Sequence, residues 1–303
     1  MQRLTRLPVL PSRHPLHGQW ELTCRCNLRC VMCYTDCFNR PEHIRNELTT
    51  HEILRIMDEV IEVGCLELCL TGGEPLTRPD FFTIYEHAIS NGLLVTLFTN
   101  GTMITETIAD QLASRPPKRI EISVHGATAS TFDRITQQDG SHRRVQEAIA
   151  MLMDRRLPLT LKTTAMTINK GEVLLVKRAV QSMPRVGYKV GDEMRPALNG
   201  SVGPLALGLT PDECATLFQQ DQEIWNELRT RESKPAALCS SGEHRFHIDA
   251  YGMLQLCSGN RQEGYDLRTG SFRNGFYNHL PTFPCQWKVA SDSAAPSQVV
   301  PHV

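Results

Sequence analysis

Three cysteines lie close together near the start of the chain. Cys26, Cys30 and Cys33 have the spacing C-x3-C-x2-C. Thiols this close within one loop can converge on one inorganic centre, and thiolates are the usual ligands of iron–sulfur clusters. A cubane has one iron more than this motif has thiols, so one iron would stay open to bind a small molecule. The spacing therefore predicts a [4Fe-4S] site with one exchangeable position.

Two other cysteines, Cys24 and Cys37, flank this motif and keep other interpretations open. Zinc sites use paired cysteines and a fourth protein ligand, and these two residues could complete such a site. Buried structural cysteines are the third interpretation. For an iron–sulfur site, we expect neither flanking cysteine to be a ligand.

A glycine-rich turn, Gly72-Gly73-Glu74-Pro75, follows the predicted strand Leu66–Thr71. Two glycines let the backbone approach a ligand closely. The Glu74 carboxylate and nearby carbonyl groups could accept hydrogen bonds from an ammonium group. Alone, this tetrapeptide predicts only a tight turn. Its place after the next strand beyond the cysteines makes it more specific.

Short β-rich segments alternate with longer helical ones through the first two thirds of the chain. This alternation predicts an α/β fold with a parallel sheet and right-handed crossovers. In such folds the loops that follow the strands carry the chemistry. The predicted strands are Trp20–Thr23, Leu66–Thr71, Leu93–Thr99, Ile120–His125, Leu159–Met166 and Gly187–Val190. The predicted helices are Thr49–Gly64, Asp80–Ser90, Thr105–Ser114, Arg143–Arg156 and Gly171–Met183, followed by one from Thr210 to about Arg231.

Together, the cysteine motif and the Gly72–Pro75 turn resemble the radical S-adenosylmethionine (radical SAM) superfamily. The segments Phe98–Gly101 and Glu121–Gly126 resemble turns of the same family. The resemblance implies a partial (β/α)6, TIM-like barrel with a [4Fe-4S] cluster on Cys26, Cys30 and Cys33. It also implies that the open iron binds S-adenosylmethionine, which is cleaved reductively to a 5′-deoxyadenosyl radical that abstracts hydrogen from a substrate.

The same resemblance implies a set of cofactor-binding residues, with two departures from the family pattern. His125 replaces the usual aspartate, and Met32 stands where an aromatic residue is common. Lys162 on the fifth strand is a further candidate for the same ligand. The implied cofactor-binding residues are Gly72, Gly73, Glu74, Pro75, Asn100 and Ser123.

A second cysteine set begins with Cys239 and Cys257, which flank a predicted β-hairpin with its turn near Gly252. This C-x12-G-x4-C pattern resembles the opening of the auxiliary-cluster domain called SPASM or, when shorter, twitch. Only Cys285 follows, so the set has three candidate ligands. An auxiliary [4Fe-4S] cluster, an incomplete remnant or zinc site, and a pair packed within the hairpin remain open.

Domain organisation follows from where these patterns change. We predict an irregular basic lead-in over 1–16, a core barrel over 17–208, a small α+β auxiliary domain over 209–290 and a loose tail over 291–303.

The chain has 303 residues and 11 cysteines. Without a secretion signal, such cysteine use indicates metal binding or catalysis rather than crosslinks.

Charge and hydropathy exclude other classes of protein. The formal net charge of −1 gives no field to hold a polyanion, so nucleic-acid binding is not expected. The longest apolar runs are too short to span a membrane, and prolines interrupt the N-terminal segment where a signal peptide would need an apolar stretch. We therefore expect a cytoplasmic protein.

Three functions are compatible with these patterns. Residues 187–285 resemble peptide-modifying radical SAM enzymes, so maturation of a peptide is favoured, with a flavodoxin or ferredoxin as electron donor and a separate peptide-docking protein as a possible partner. The alternative within the family is biosynthesis of a small-molecule cofactor. A non-catalytic zinc or iron–sulfur regulatory protein is the alternative from a different class.

Overall fold

The computed structural model describes residues 13–35, 39–232 and 240–285. Cys37, Cys239, the tail 291–303 and most of the lead-in lie outside these ranges. The strands are β1 His17–Glu21, β2 Glu67–Thr71, β3 Leu94–Thr99, β4 Arg119–Ser123, β5 Leu159–Thr164, β6 Gly187–Gly191, β7 Arg245–Ile248, β8 Met253–Gln255 and β9 Tyr265–Asp266. The helices are α1 Pro41–Arg45, α2 Thr50–Glu62, α3 Phe81–Ser90, α4 Glu106–Ser114, α5 Ala129–Thr136, α6 Ser141–Asp154, α7 Val173–Gln181, α8 Pro211–Phe218, α9 Gln222–Glu232 and α10 Phe272–Asn274.

All nine strands form one sheet in the order β6-β5-β4-β3-β2-β1-β7-β8-β9. The first six are parallel to their neighbours, with helices in the connections, as the alternating pattern predicts. The α/β fold is thereby confirmed. β7 pairs in parallel with β1, and β8 and β9 continue antiparallel, so the predicted hairpin is present and extends the main sheet. The division between core and auxiliary domains stays a prediction.

The two faces of the sheet differ in chemistry. Successive strand residues point to opposite faces, and register partners share a face. One face is apolar and belongs to the main core, with Trp20, Leu70, Leu97, Ile120, Leu161 and Ile248 among its buried residues. The other, which we call the polar face, carries Glu21, Phe98, Glu121, Ser123, Lys162, Lys189 and His247. The polar face is therefore where the fold presents groups that can meet a ligand.

Helix α2 shows how sequence signals translate into structure. Thr49 accepts a hydrogen bond from the Glu52 backbone, and the Glu52 carboxylate accepts one from the Thr49 backbone, which completes the predicted capping box. The chain turns after this helix at Gly64, whose φ of +88° suits glycine.

Several helices differ from prediction, and the short helices α1 and α10 were not predicted. Helix α5 has no counterpart in the sequence analysis, because it is one short segment rich in threonine and serine. The single helix expected from Thr210 to about Arg231 is wrong, since α8 ends at Phe218 and α9 starts at Gln222. Asp221 causes the break: its carboxylate accepts hydrogen bonds from the backbones of Glu223 and Ile224 and ion-pairs with Lys177.

No helix in the described ranges combines the length and the apolar character that a membrane crossing needs.

Candidate functional site

The Gly72–Pro75 turn is bonded directly to the start of the cysteine loop. The backbone N–H of Gly73 donates to the carbonyl of Thr23 at 2.8 Å, and that of Glu74 donates to the carbonyl of Arg25 at 2.7 Å. These bonds continue the pairing of β1 with β2 beyond the ends of both strands. The parallel sheet thus delivers the two sequence motifs to one place.

Glycine is required at both positions because the two backbones touch. A Cβ on Gly72 would lie 2.5 Å from the Thr23 carbonyl oxygen, and one on Gly73 would lie 2.7 Å from the Arg25 carbonyl carbon. Real Cβ atoms essentially never show such contacts under 3.0 Å. Gly72 also has a φ of +151°, where side chains are strained. Close backbone approach, which the sequence analysis expected toward a ligand, is realised here within the protein itself.

Glu74 joins this turn to the end of β3. Its carboxylate is fully buried and accepts hydrogen bonds from Thr99 Oγ1 at 2.8 Å, the Asn100 backbone at 2.7 Å and the Leu76 backbone at 3.1 Å. Burial raises the pKa of Glu74 to about 7, against the effect of these donors. The side chain therefore positions two strand tips. Binding of an ammonium group by Glu74 stays a prediction.

Asn100, the residue after β3, also contacts the cysteine loop. Its Nδ2 donates to Asn27 Oδ1 at 2.9 Å and lies 3.8 Å from Cys26 Sγ, and its Oδ1 accepts from Thr102. An amide held in this way can orient a thiolate ligand, as outer hydrogen bonds do at metal sites.

The rest of the cysteine loop is fixed by α5 and by Asn39. The backbone N–H groups of Arg29 and Val31 donate to the last carbonyls of α5, those of Thr136 and Ile135. Asn39 forms two hydrogen bonds with the Cys26 backbone, at 3.1 and 2.8 Å. The support that α5 gives to this loop was not predicted, because no motif in the sequence of α5 indicates that role.

The three cysteines of the motif stay predicted ligands. Cys26, Cys30 and Cys33 are half-buried thiols on this one loop, and Cys33 Sγ lies 3.1 Å from Thr35 Oγ1. Within the described ranges, no three histidine, cysteine or acidic side chains are placed to hold a single metal ion.

Cys24 has a different environment. Its thiol donates to Glu47 Oε1 at 3.0 Å, and burial together with the Glu47 carboxylate raises the pKa of Cys24 to about 12. Metals bind the thiolate, so a thiol held protonated by a carboxylate is a poor ligand. This argues against a zinc site built on Cys24. Its partner in that alternative, Cys37, lies outside the described residues.

Glu47 is a site residue that the sequence analysis missed. Its buried carboxylate accepts hydrogen bonds from Thr23 Oγ1 at 2.6 Å, the Cys24 backbone at 2.7 Å and the Arg25 guanidinium at 3.0 Å. Glu47 lies outside every motif and meets the loop only through the fold, so nothing in the sequence signals its role.

The remaining predicted residues lie at the next strand tips. Ser123 ends β4 and is the register partner of Lys162 on β5, so both belong to the polar face. His125 follows them, and burial, with the nearby Lys162 charge, lowers its pKa to about 4. His125 is therefore neutral at physiological pH and adds no positive charge to the site.

An arginine pair connects the cysteine loop to the C-terminal strands. The guanidinium carbons of Arg195 and Arg261 each lie 5.8 Å from the centroid of the Tyr34 ring. Arg261 also binds the Glu21 carboxylate at the end of β1 through two nitrogens. Burial alone would raise the pKa of Glu21. Its contacts with His247 and Arg261 outweigh this effect and lower the pKa to about 2.

One hydrogen bond links the segments that carry Cys257 and Cys285. Cys257 follows β8 and forms a β-bridge with Asn260, whose Nδ2 donates to the carbonyl of Pro284 at 2.8 Å. Asn260 thus brings the residue before Cys285 to the Cys257 loop. Cys239 lies outside the described residues, so its place in this set stays a prediction.

The sequence and the fold of this chain are similar to those of several known proteins. A sequence profile of the Radical SAM superfamily matches residues 20–175. An AdoMet-dependent heme synthase of Methanosarcina barkeri is 36% identical over 229 residues, which cover 76% of this chain and 62% of the relative. A PqqA peptide cyclase of Rhizobium meliloti is 32% identical over 168 residues, or 54% and 43% of the two chains.

A third relative is the mycofactocin maturase MftC of Mycobacterium tuberculosis, with 36% identity over 121 residues, or 40% of this chain and 30% of the relative. The chain thus spans less than two thirds of the length of these curated relatives. Among solved structures, Streptococcus suis SuiB bound to S-adenosylmethionine has a TM-score of 0.68 at 15% identity, covering 88% of this chain and 67% of SuiB. The enzyme anSMEcpe with bound AdoMet and peptide gives the same TM-score and identity over 88% of this chain and 81% of its own. At such identities the likeness shows the fold alone.

The contact at Gly73 predicts the effect of adding a methyl group. Gly73→Ala forces the Arg25 backbone away, and we expect a loss of about 1–3 kcal/mol in the free energy of unfolding, as for overpacking elsewhere. Urea unfolding followed by circular dichroism measures it. Gly171→Ala is the matched control, because a Cβ there meets nothing within 4 Å. Equal stability of the two variants would contradict the argument.

The buried Glu74 carboxyl predicts a pH dependence of stability. Its pKa rises from 4.5 to about 7 on folding, so its contribution is full below pH 4.5 and is lost as the pH rises through about 7. Glu74→Gln removes this titration and one acceptor. We expect the stability of wild type minus that of Glu74→Gln to fall by up to about 3 kcal/mol from pH 4.5 to pH 8.

Urea titrations of wild type and Glu74→Gln at several pH values in this range give the difference between their free energies of unfolding. Titratable groups that both proteins share contribute equally to both values, so their effect cancels in the difference. A difference that stays constant or increases with pH would show that folding does not raise the pKa of Glu74.

Proposed function

Because the chain belongs to the radical SAM superfamily, we propose that it is an enzyme that cleaves S-adenosylmethionine reductively and abstracts a hydrogen atom from a peptide during its maturation. The observation that carries this proposal is the loop of Cys26, Cys30 and Cys33 bonded through its backbone to the Gly72–Pro75 turn. Both motifs lie within the residues that match the family.

We assign Cys26, Cys30 and Cys33 as the ligands of the [4Fe-4S] cluster that the family implies. The donor set fits this group: three half-buried thiols lie on one loop, and an amide from Asn100 is directed at the first of them. The neighbouring Cys24 is engaged by Glu47 instead, which leaves the motif with three ligands. Three ligands would leave one iron for the amino and carboxylate groups of S-adenosylmethionine.

When bound, the cluster and S-adenosylmethionine supply the electron and the radical for hydrogen abstraction. The chain itself supplies positioning. Gly72 and Gly73 keep the backbone of the turn against the cysteine loop, Glu74 fixes this turn to β3, and Asn100 orients Cys26. We assign the carbonyls of Gly72–Pro75 to the methionine ammonium, and Ser123 to the carboxylate or ribose of the same cofactor.

The polar face is where we place the substrate. It lies on the opposite side of the strands from the main core and continues from the strand tips that hold the assigned cofactor residues. His125, which follows β4, is neutral and adds no further charge to this face.

For the second cysteine set we propose an auxiliary [4Fe-4S] cluster on Cys239, Cys257 and Cys285. The hydrogen bond from Asn260, the bridge partner of Cys257, to Pro284, the residue before Cys285, supports it. Arg195 connects this region to the first cysteine loop, since its guanidinium lies 3.5 Å from Ser258 Oγ and close to the Tyr34 ring. A zinc site and a merely packed cysteine pair are the outcomes that would replace this proposal.

Two relatives support a peptide substrate. One is named a peptide cyclase and another a maturase, and both match part of this chain at 32–36% identity. We propose a flavodoxin or ferredoxin of the cytoplasm as electron donor. A separate protein would dock the peptide.

A second candidate is the synthesis of a small-molecule cofactor. Among the three curated relatives described above, the heme synthase matches the largest share of this chain, 76%. This observation favours a substrate that is not a peptide. The two candidate functions can be separated in one assay, because one consumes a peptide and the other consumes a cofactor precursor.

The cluster assignment predicts which cysteines are needed. Protein reconstituted anaerobically with iron and sulfide should bind about four irons at this site and release 5′-deoxyadenosine with dithionite and S-adenosylmethionine. Cys30→Ser should lose both. Cys24→Ser is the matched control, because a hydroxyl can donate to Glu47 as the thiol does, and it should retain both.

Iron and sulfide analysis with chromatography of the products measures these outcomes. A cluster-loaded wild type that never forms 5′-deoxyadenosine would reject the proposed function. Total iron also tests the second set, since Cys257→Ser should lower it by about four per chain.

The substrate assignment predicts a peptide-dependent reaction. With the reconstituted enzyme, reductant and S-adenosylmethionine, short peptides encoded beside the gene should be converted to products of lower mass by loss of hydrogen. Mass spectrometry of the peptides measures this change, and the Cys30→Ser protein provides the blank. Conversion of a cofactor precursor with every peptide unchanged would establish the second candidate.

A further inference from the structure

Two lysines lie side by side on the polar face. Lys162 on β5 and Lys189 on β6 are register partners, so their side chains leave the same face of the sheet. Like charges directly opposite each other on neighbouring strands are destabilising. Such a pair needs negative charge nearby.

Within the described residues, one carboxylate forms ion pairs with both lysines. Glu121 on β4 is nearly inaccessible, and its Oε1 accepts a hydrogen bond from Lys189 Nζ at 2.6 Å. Its Oε2 lies 3.3 Å from Lys162 Nζ but has no hydrogen-bond partner. Although burial opposes ionisation, the two lysines lower the pKa of Glu121, so it is charged.

The charges around Glu121 do not balance. Arg119 NH1 is a third cation, 3.5 Å from Glu121 Oε1. One carboxylate thus faces three cations, which leaves an excess of positive charge. Cys69 is close by but neutral, because burial raises its pKa to about 12. An additional anion would complete the arrangement.

The lysines are accessible to such an anion. The side chains of Lys162 and Lys189 are 31% and 44% exposed. Each ammonium carries three donors, and Lys189 uses one of them on Glu121. The Lys162 ammonium also lies 4.0 Å from the centroid of the Phe98 ring, which holds it on this face.

We propose that Lys162 and Lys189 form a binding site for a carboxylate group of the substrate. This inference rests on the proposed function and specifies its substrate class as a molecule carrying a carboxylate. The site adjoins Ser123, the register partner of Lys162, so a substrate anchored there would reach toward the strand tips assigned to the cofactor. S-adenosylmethionine also carries a carboxylate, and the test separates the two sources.

Glutarate is the probe, compared with uncharged glutaramide at equal ionic strength, and binding is read from the thermal unfolding of the full-length reconstituted protein. Glutarate should raise the unfolding temperature with saturation, and glutaramide should not. In Lys189→Gln the apparent affinity for glutarate should fall at least about tenfold, as expected for loss of a charge-assisted contact. Lys189→Arg should restore it.

Lys170→Gln is the matched control, because Lys170 pairs with Glu213 away from the polar face and its loss removes the same charge. It should bind glutarate like the wild type. Glutarate binding that survives Lys189→Gln, or no difference between glutarate and glutaramide in the wild type, would overturn the proposal.

Titration with S-adenosylmethionine distinguishes the two carboxylate sources. If Lys189→Gln weakens S-adenosylmethionine tenfold, the pair serves the cofactor and the assignment to the substrate is wrong. None of these measurements requires turnover, so a failure to cleave S-adenosylmethionine would be seen separately. Circular dichroism of Lys189→Gln and Lys189→Arg without ligand confirms that both are folded.

Discussion

The direct contact between the Gly73 backbone and the Arg25 backbone is the constraint on which the site depends. Two hydrogen bonds of 2.7–2.8 Å join these segments, and the turn has no room for a side chain at Gly72 or Gly73. The pairing of β1 with β2 sets the distance, so the parallel sheet itself defines where the cysteine loop begins. A site built on strand ends is more precise than one built on free loops, because the ladder of the sheet cannot shift without breaking several bonds.

Two buried carboxylates hold the loops that the sheet brings together. Glu47 gathers the donors at the start of the cysteine loop, and Glu74 gathers those at the ends of β2 and β3. Burying a carboxylate is costly unless its oxygens are satisfied, so each of these residues stabilises only the arrangement that supplies all its donors. Besides any gain in stability, Glu47 and Glu74 therefore favour one conformation of these loops over others.

The sequence allowed prediction of what depends on local pattern. The six parallel strands, the capping box of α2 and the hairpin at Gly252 follow from periodicity and turn chemistry, and the structure confirms them. It did not allow prediction of what depends on contacts between distant segments. Glu47 meets the cysteine loop from 22 residues or more away, and β7 joins β1 from the other end of the chain. The break at Asp221 was not predicted either, because the apolar residues Leu217, Phe218 and Trp225 continue a helical period across it.

The opposite faces of one sheet explain how the fold can hold an unbalanced set of charges. A like-charged pair on neighbouring strands costs up to about 1 kcal/mol, whereas each large side chain buried on the core face contributes about 1.5–3 kcal/mol. Residues such as Ile120 and Leu161 lie on the same strands as Glu121 and Lys162 but point into the core. The core face therefore fixes the positions of the lysines regardless of their repulsion. Charges held in place before a ligand arrives need no rearrangement to bind it, and this is the advantage that offsets their cost.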